Sequence, residues 1–191
     1  MNKQVLELVI ILGLPIVVFL IGKNFVEKFS NQKHIQEVLK KNIASCKDRI
    51  PLYARFGGYN TDKVKLYWKA LYPHAIKDEK RFLYLDLLFP LFYGSALIIS
   101  ISLAWIRLDR LLSLIWFILP VIIIMLSDWA ENLIQLQQMK RFPSLEELEN
   151  LESEWIWVAS IATRFKLYFF VISYLLLIGM AISIAYNSFF S

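Results

Sequence analysis

Four long apolar runs, at about residues 5–21, 82–105, 111–136 and 157–186, constrain this chain more than any other feature. A hydrocarbon layer roughly 30 Å thick is crossed by about 20 helical residues. Inside it every backbone N–H and C=O must find an internal partner, so segments of this length cross as helices. The chain is 58% hydrophobic and 19% charged, more apolar than a soluble domain of its size. The expectation is an all-α integral membrane protein. Its core is a bundle of four transmembrane helices, with amphipathic helices on the cytoplasmic side.

The organisation follows from where charge interrupts the runs. Residues 1–22 read as a first transmembrane span, 23–81 as a basic cytoplasmic segment, and 82–191 as a three-span bundle with an acidic cytoplasmic helix at about 144–157. The first span competes with a cleaved signal peptide, since Lys3 precedes it. Glu7 inside it, and Leu20-Ile21-Gly22-Lys23 in place of a small-residue cleavage site, favour a retained span with Glu7 at the headgroups.

The basic segment carries fourteen Lys or Arg against six acids, a local charge of +8. Phe25, Phe29, Ile35, Leu39, Ile43, Cys46 and Ile50 fall within about 120° on a helical wheel, predicting one amphipathic helix ended by Pro51. Phe56-Gly57-Gly58-Tyr59-Asn60 predicts a turn. Thr61 then predicts the cap of a short helix with Val64, Tyr67, Trp68 and Leu71 on its apolar side, closed by Pro73. The expected partner of residues 23–81 is a bilayer with anionic headgroups, not nucleic acid. A membrane-protein partner or a second copy of the chain remains open.

In the second span, Asp86 lies one turn inside and Pro90 predicts a kink beside it, while Gly94, Ser95, Ser100 and Ser102 predict close helix approach. Arg107, Asp109 and Arg110 form a tight turn that makes the second and third spans antiparallel neighbours. Ser144-Leu145-Glu146-Glu147 is a capping-box pattern opening the acidic helix, with Leu145, Leu148, Leu151, Trp155 and Val158 as its seam. Its acids are expected to pair with the basic segment. Gly179 and Ser183 offer a small-residue face on the fourth span.

Lys and Arg are concentrated in 23–81 and around the opening of the fourth span; the other side has Lys3, Arg107 and Arg110. The positive-inside rule therefore predicts a plasma (inner) membrane protein with both termini outside and both large connections cytoplasmic.

The polar groups of the third span are the functional candidates. Asp128, Glu131, Asn132 and Gln135 stand at i, i+3, i+4 and i+7, on one helix face, where hydrocarbon is expected. With Asp86 on the second span and Thr163, Arg164 and Lys166 on the fourth, they fall within roughly 12 Å of the cytoplasmic interface. Trp129 reads as an interface anchor.

The sole cysteine, Cys46, excludes an internal disulfide and a cysteine metal site. His34 and His74 lack metal spacing. No nucleophile elbow, phosphate loop or zinc motif is present and no residue is assigned as a metal ligand, while cofactor and metal dependence stay unknown at this point.

Four elements of sequence carry a resemblance. They are Leu85-Asp86-Leu87-Leu88-Phe89-Pro90-Leu91-Phe92-Tyr93-Gly94, the block Asp128-x-x-Glu131-Asn132, and Ala159-Ser160-x-x-Thr163-x-x-Lys166, with Tyr59-Asn60-Thr61 opening a short helix before them. In this order they resemble an uncharacterised family of small, mostly bacterial four-span membrane proteins. The resemblance covers about two thirds of the chain, from Tyr59 onward. It implies a four-helix fold and makes the polar block a family feature, but it implies no activity.

Three readings of the polar cluster stand at this point. In the first, the acids pair with Arg164 or Lys166 and stabilise the bundle, with a partner or lipid contact. In the second, Asp128 and Glu131 serve as general acid and base on a lipid or isoprenoid substrate. In the third, the cluster binds a lipid or transports an ion.

Overall fold

The computed structural model describes residues 3–108 and 112–190, and every regular element among them is helical. Asp109 and Arg110 of the expected turn, and the side chain of Lys3, lie outside the described residues. Four helical stretches are long and apolar enough to span a membrane: Val5–Phe29, Ile76–Arg107, Leu114–Arg141 and Ser153–Asn187. The protein is a multi-pass, four-span helical bundle.

Helix α1 covers Lys3–Phe29 and runs about two turns past the end of the first apolar run. It ends because Asn31 adopts the left-handed conformation, with φ 58°. The amphipathic helix expected from Phe25 onward is thus cut in two. Phe25 and Phe29 stand exposed at the end of α1, while α2 (Gln32–Asn42) buries Ile35, Val38 and Leu39. Cys46 and Ile50 lie beyond α2 and are exposed, and Pro51 leads into a single 3-10 turn, Leu52–Ala54.

Helix α3 (Thr61–Leu71) buries the four predicted apolar residues. Its cap is Asn60 rather than Thr61, the Asn60 side chain accepting from the Lys63 N–H at 3.0 Å.

In the second span the helical hydrogen bonds are interrupted next to Pro90, although Leu87 and Leu88 keep helical backbone angles. Helix α4 (Ile76–Asp86) stops, and α5 (Phe89–Arg107) restarts with Pro90 in its first turn. Pro90 has no N–H to continue the ladder across the junction. The small residues of α5 serve unequally. Gly94 meets α6 so closely that a β-carbon would stand 2.4 Å from Met125 Sδ, whereas Ser95 is exposed.

Helix α6 (Leu114–Arg141) packs most extensively against α7 (Ser153–Phe190), and α1 lies chiefly along α5. The Ser144–Glu147 capping box forms, with Glu147 Oε2 accepting from the Ser144 N–H at 3.1 Å. It opens only a 3-10 turn, Glu147–Asn150, so the continuous acidic helix at 144–157 is not observed. Leu151 is extended there, and of the expected seam only Leu148 and Leu151 are buried. The expected pairing of acids with the basic segment does occur: Glu149 accepts from Lys65 at 3.0 Å and from Lys69. These two ammoniums, Lys69 first, hold the Glu149 carboxyl down at about 2. Gly179 and Ser183 are exposed, and among the described residues nothing lies within 4 Å of a β-carbon placed at Gly179.

Two apolar cores result. One joins α2, α3 and α4 to the end of α6 and the start of α7 around Trp68, Leu71, Leu83 and Met139. The other fills the bundle around Leu97, Ile101, Val121, Ile124 and Leu177. At the far end of the bundle Arg107 pairs with Glu7, which ties the start of α1 to the end of α5. The polar cluster lies where the two cores meet.

Candidate functional site

Lys166 is the hub. Its Nζ donates to Asp128 Oδ1 at 2.9 Å and to Glu131 Oε2 at 2.6 Å. Asp128 and Glu131 lie one turn apart on α6, so a single ammonium from α7 can reach both. The remaining oxygens are also taken: Asp128 Oδ2 accepts from Tyr93 OH of α5 at 3.1 Å. Glu131 Oε1 accepts from Gln135 Nε2 at 3.1 Å and from Tyr59 OH at 3.4 Å. Gln135 Nε2 also donates to the Tyr59 oxygen at 3.0 Å. Asn132 Nδ2 donates to Asp86 Oδ2 at 3.0 Å, which brings the end of α4 into the same network. All of these acids and amides are buried.

Of the residues expected in the cluster, Asp86, Asp128, Glu131, Asn132, Gln135 and Lys166 are brought together. Thr163 is buried beside them, with its hydroxyl donating to the Ala159 carbonyl at 3.0 Å. Arg164 is not among them. It is exposed and lies against Gly58, on the side of α7 away from the acids. Two residues apart on a helix means about 200° of rotation, so Arg164 and Lys166 cannot share a partner on one face.

Tyr59 and Tyr93 donate to the acids although the sequence marks them only as aromatic. Burial, and then the Glu131 charge, push the Tyr59 phenol well above its ordinary range. Tyr59 is fixed by its own backbone, whose N–H donates to Ser160 Oγ at 2.8 Å. The turn before it requires Gly58, which has φ +69° and would set a β-carbon 2.4 Å from Ser160 Oγ and 2.5 Å from Arg164 Nε. Gly58→Ala should therefore destabilise the protein by about 1–3 kcal/mol, read as a lower unfolding midpoint in detergent.

Glu79 is a further buried acid, 2% exposed, with Tyr67 OH 3.5 Å from its Oε2. Its position in the charged stretch Lys77–Arg81 suggests a solvated residue. Its register with Phe82, Leu83 and Asp86 on α4 is the signal that places it inside. Trp129 is more than an anchor, because its Nε1 donates to Leu87 O at 2.8 Å. That carbonyl is left over by the α4–α5 break, where the Leu91 N–H turns to Leu88 instead.

A cavity of about 240 Å³ opens beside the cluster, with walls from α1, α4, α5, α6, α7 and the 3-10 turn. Phe19, Phe82, Phe89 and Phe170 line it together with Asp86, Asp128, Lys166 and Tyr93. Glu131 does not line it. Beyond Tyr93 and Asp128 the bundle core continues as Leu97, Ile101, Val121 and Ile124. Among the described residues no group of three His, Cys, Asp or Glu side chains is arranged to hold a metal ion. Chemically, this is an ion-pair network in which Asp128 and Glu131 have every oxygen occupied, while among the described residues Asn132 Oδ1 is buried without a partner, and it faces a small, mostly apolar pocket. No family model, curated protein or solved structure matches the chain.

Proposed function

We propose that this multi-pass membrane protein binds a lipid-like amphiphile in the cytoplasmic leaflet, without chemistry, and that the buried network is the brace that keeps its pocket open. The observation that carries the reading is the pocket itself. Four phenylalanines and a few convergent polar groups form a concave, largely apolar surface, the usual make-up of a small-molecule site. Its α1 wall runs from Phe19 to Glu27, at the end of a candidate span, where a bilayer lipid has access.

The brace supports the same reading. Asp128 and Glu131 have each oxygen occupied by a donor from the protein, which suits holding helices together better than exchanging protons with a substrate. Ala54 sits at the pocket wall and is exposed. Ala54→Phe should plug the pocket without touching the network. Lipid extract added to wild-type protein in detergent should raise its unfolding midpoint, by about 2.7 kcal/mol at a hundredfold excess over Kd. The Ala54→Phe protein should show no such rise; an equal rise in both overturns the reading.

The orientation is inferred from charge, with the basic connections in the cytoplasm of a plasma membrane. Cys46, the sole cysteine, is exposed in the first of those connections and provides the test. In intact cells a membrane-impermeant maleimide should leave it unlabelled and a permeant one should label it. Labelling by both reverses the orientation.

A further inference from the structure

The walls of the pocket carry an excess of carboxylate that the brace does not use. Asp86 is 7% exposed, and Asn132 satisfies one of its oxygens. Among the described residues the other oxygen, Oδ1, accepts no hydrogen bond, and the residue lines the pocket. Both lysines on the wall are committed elsewhere. Lys166 serves Asp128 and Glu131, and Lys23 lies 3.7 Å from Glu27. On the wall two ammoniums thus stand against three carboxylates, Glu27, Asp86 and Asp128, and Lys166 also serves Glu131 behind it.

The rings around this carboxylate form a continuous aromatic lining. Phe19 stands 5.4 Å from Phe89 and 5.5 Å from Phe170, and Phe89 stands 5.0 Å from Tyr93, centroid to centroid. Aromatic faces and a carboxylate with an open oxygen are the groups that recognise a substituted ammonium, through cation–π attraction and ion pairing in a desolvated site. An anionic headgroup would instead meet the surplus negative charge.

Building on the lipid-pocket reading, we propose that the ligand is an amphiphile with an ammonium headgroup. The ammonium sits at Asp86 among Phe19, Phe89, Tyr93 and Phe170, with the alkyl chain on the apolar wall.

The test uses three photoreactive hexadecyl probes that differ only in the headgroup: trimethylammonium, alcohol and sulfate. The full chain is placed in phosphatidylglycerol nanodiscs, and crosslinks are mapped by peptide mass spectrometry. The ammonium probe should label the α1, α5 and α7 walls of the pocket about tenfold more than the other two. Asp86→Asn should bring it down to the level of the alcohol, and Asp86→Glu should preserve the preference. The wild-type comparison needs no variant, so a poorly folding Asp86→Asn does not spoil the test. Equal labelling by all three probes, or a preference for sulfate, overturns the ammonium assignment and leaves the lipid pocket standing. Absence of pocket labelling by any probe, or labelling unchanged by Ala54→Phe, overturns both.

Discussion

Lys166→Met is expected to destabilise the protein by about 3–5 kcal/mol, the largest loss of any single substitution considered. The methionine fills a similar volume but strands Asp128 and Glu131, two buried acids that share the lysine. The loss comes from the orphaned partners more than from the worth of the ion pair. A neutral network of similar shape should therefore recover most of it. Lys166→Met combined with Asp128→Asn and Glu131→Gln should unfold closer to wild type than Lys166→Met alone. Denaturant titration in mixed micelles measures the difference, and additive losses across the set contradict a coupled brace. Arg164→Met, on the other side of α7, should change stability by less than about 0.5 kcal/mol.

The second large effect is alkaline unfolding. Burial pushes the phenols of Tyr59 and Tyr67 well above the ordinary value of 10.0, with the charges of Glu131 and Glu79 acting in the same direction. Between that ordinary value and the raised folded one, the unfolded chain gives up protons that the folded chain keeps. The contribution is complete below about pH 10 and is lost as the pH rises beyond it. Each tyrosine costs about 1.4 kcal/mol per pH unit in that window, or about 2.7 for the two together. Phenolate absorbance and helical circular dichroism should change together in one transition. Tyr59→Phe and Tyr67→Phe should each make its pH dependence shallower. Phenolate formation by both residues with the helices intact contradicts the burial described here.

The spans and the acidic face were legible in the sequence because bilayer physics leaves few alternatives. A run of apolar residues becomes a helix, and acids at i, i+3, i+4 and i+7 share a face whatever packs against it. Asp128, Glu131, Asn132 and Gln135 are indeed all buried together. What local pattern could not convey was choice among partners. Arg164 and Lys166 are equivalent by composition, and only helix rotation assigns the cluster to one of them. Tyr59 and Tyr93 act through hydroxyls at the ends of rings that read as packing. Glu79 hides in a charged stretch, and its burial is visible only by counting along α4. The amphipathic pattern from Phe25 onward failed at a single residue. Asn31 tolerates the left-handed region that ends α1, and the periodicity across it belongs to two helices. Pro90 predicts a kink, and the interruption of the helical hydrogen bonds lies beside it, with Leu87 and Leu88 still helical in backbone angle. The carbonyl left over there is taken by Trp129.

Occupancy of the braced pocket by a lipid-like molecule is directly measurable. Native mass spectrometry of wild type and Ala54→Phe, released from the same membranes under the same gentle conditions, tests it most directly. Wild type should carry one tightly held amphiphile, absent from Ala54→Phe, with the two proteins unfolding at similar midpoints once delipidated. The same bound species at the same occupancy in both proteins would contradict it.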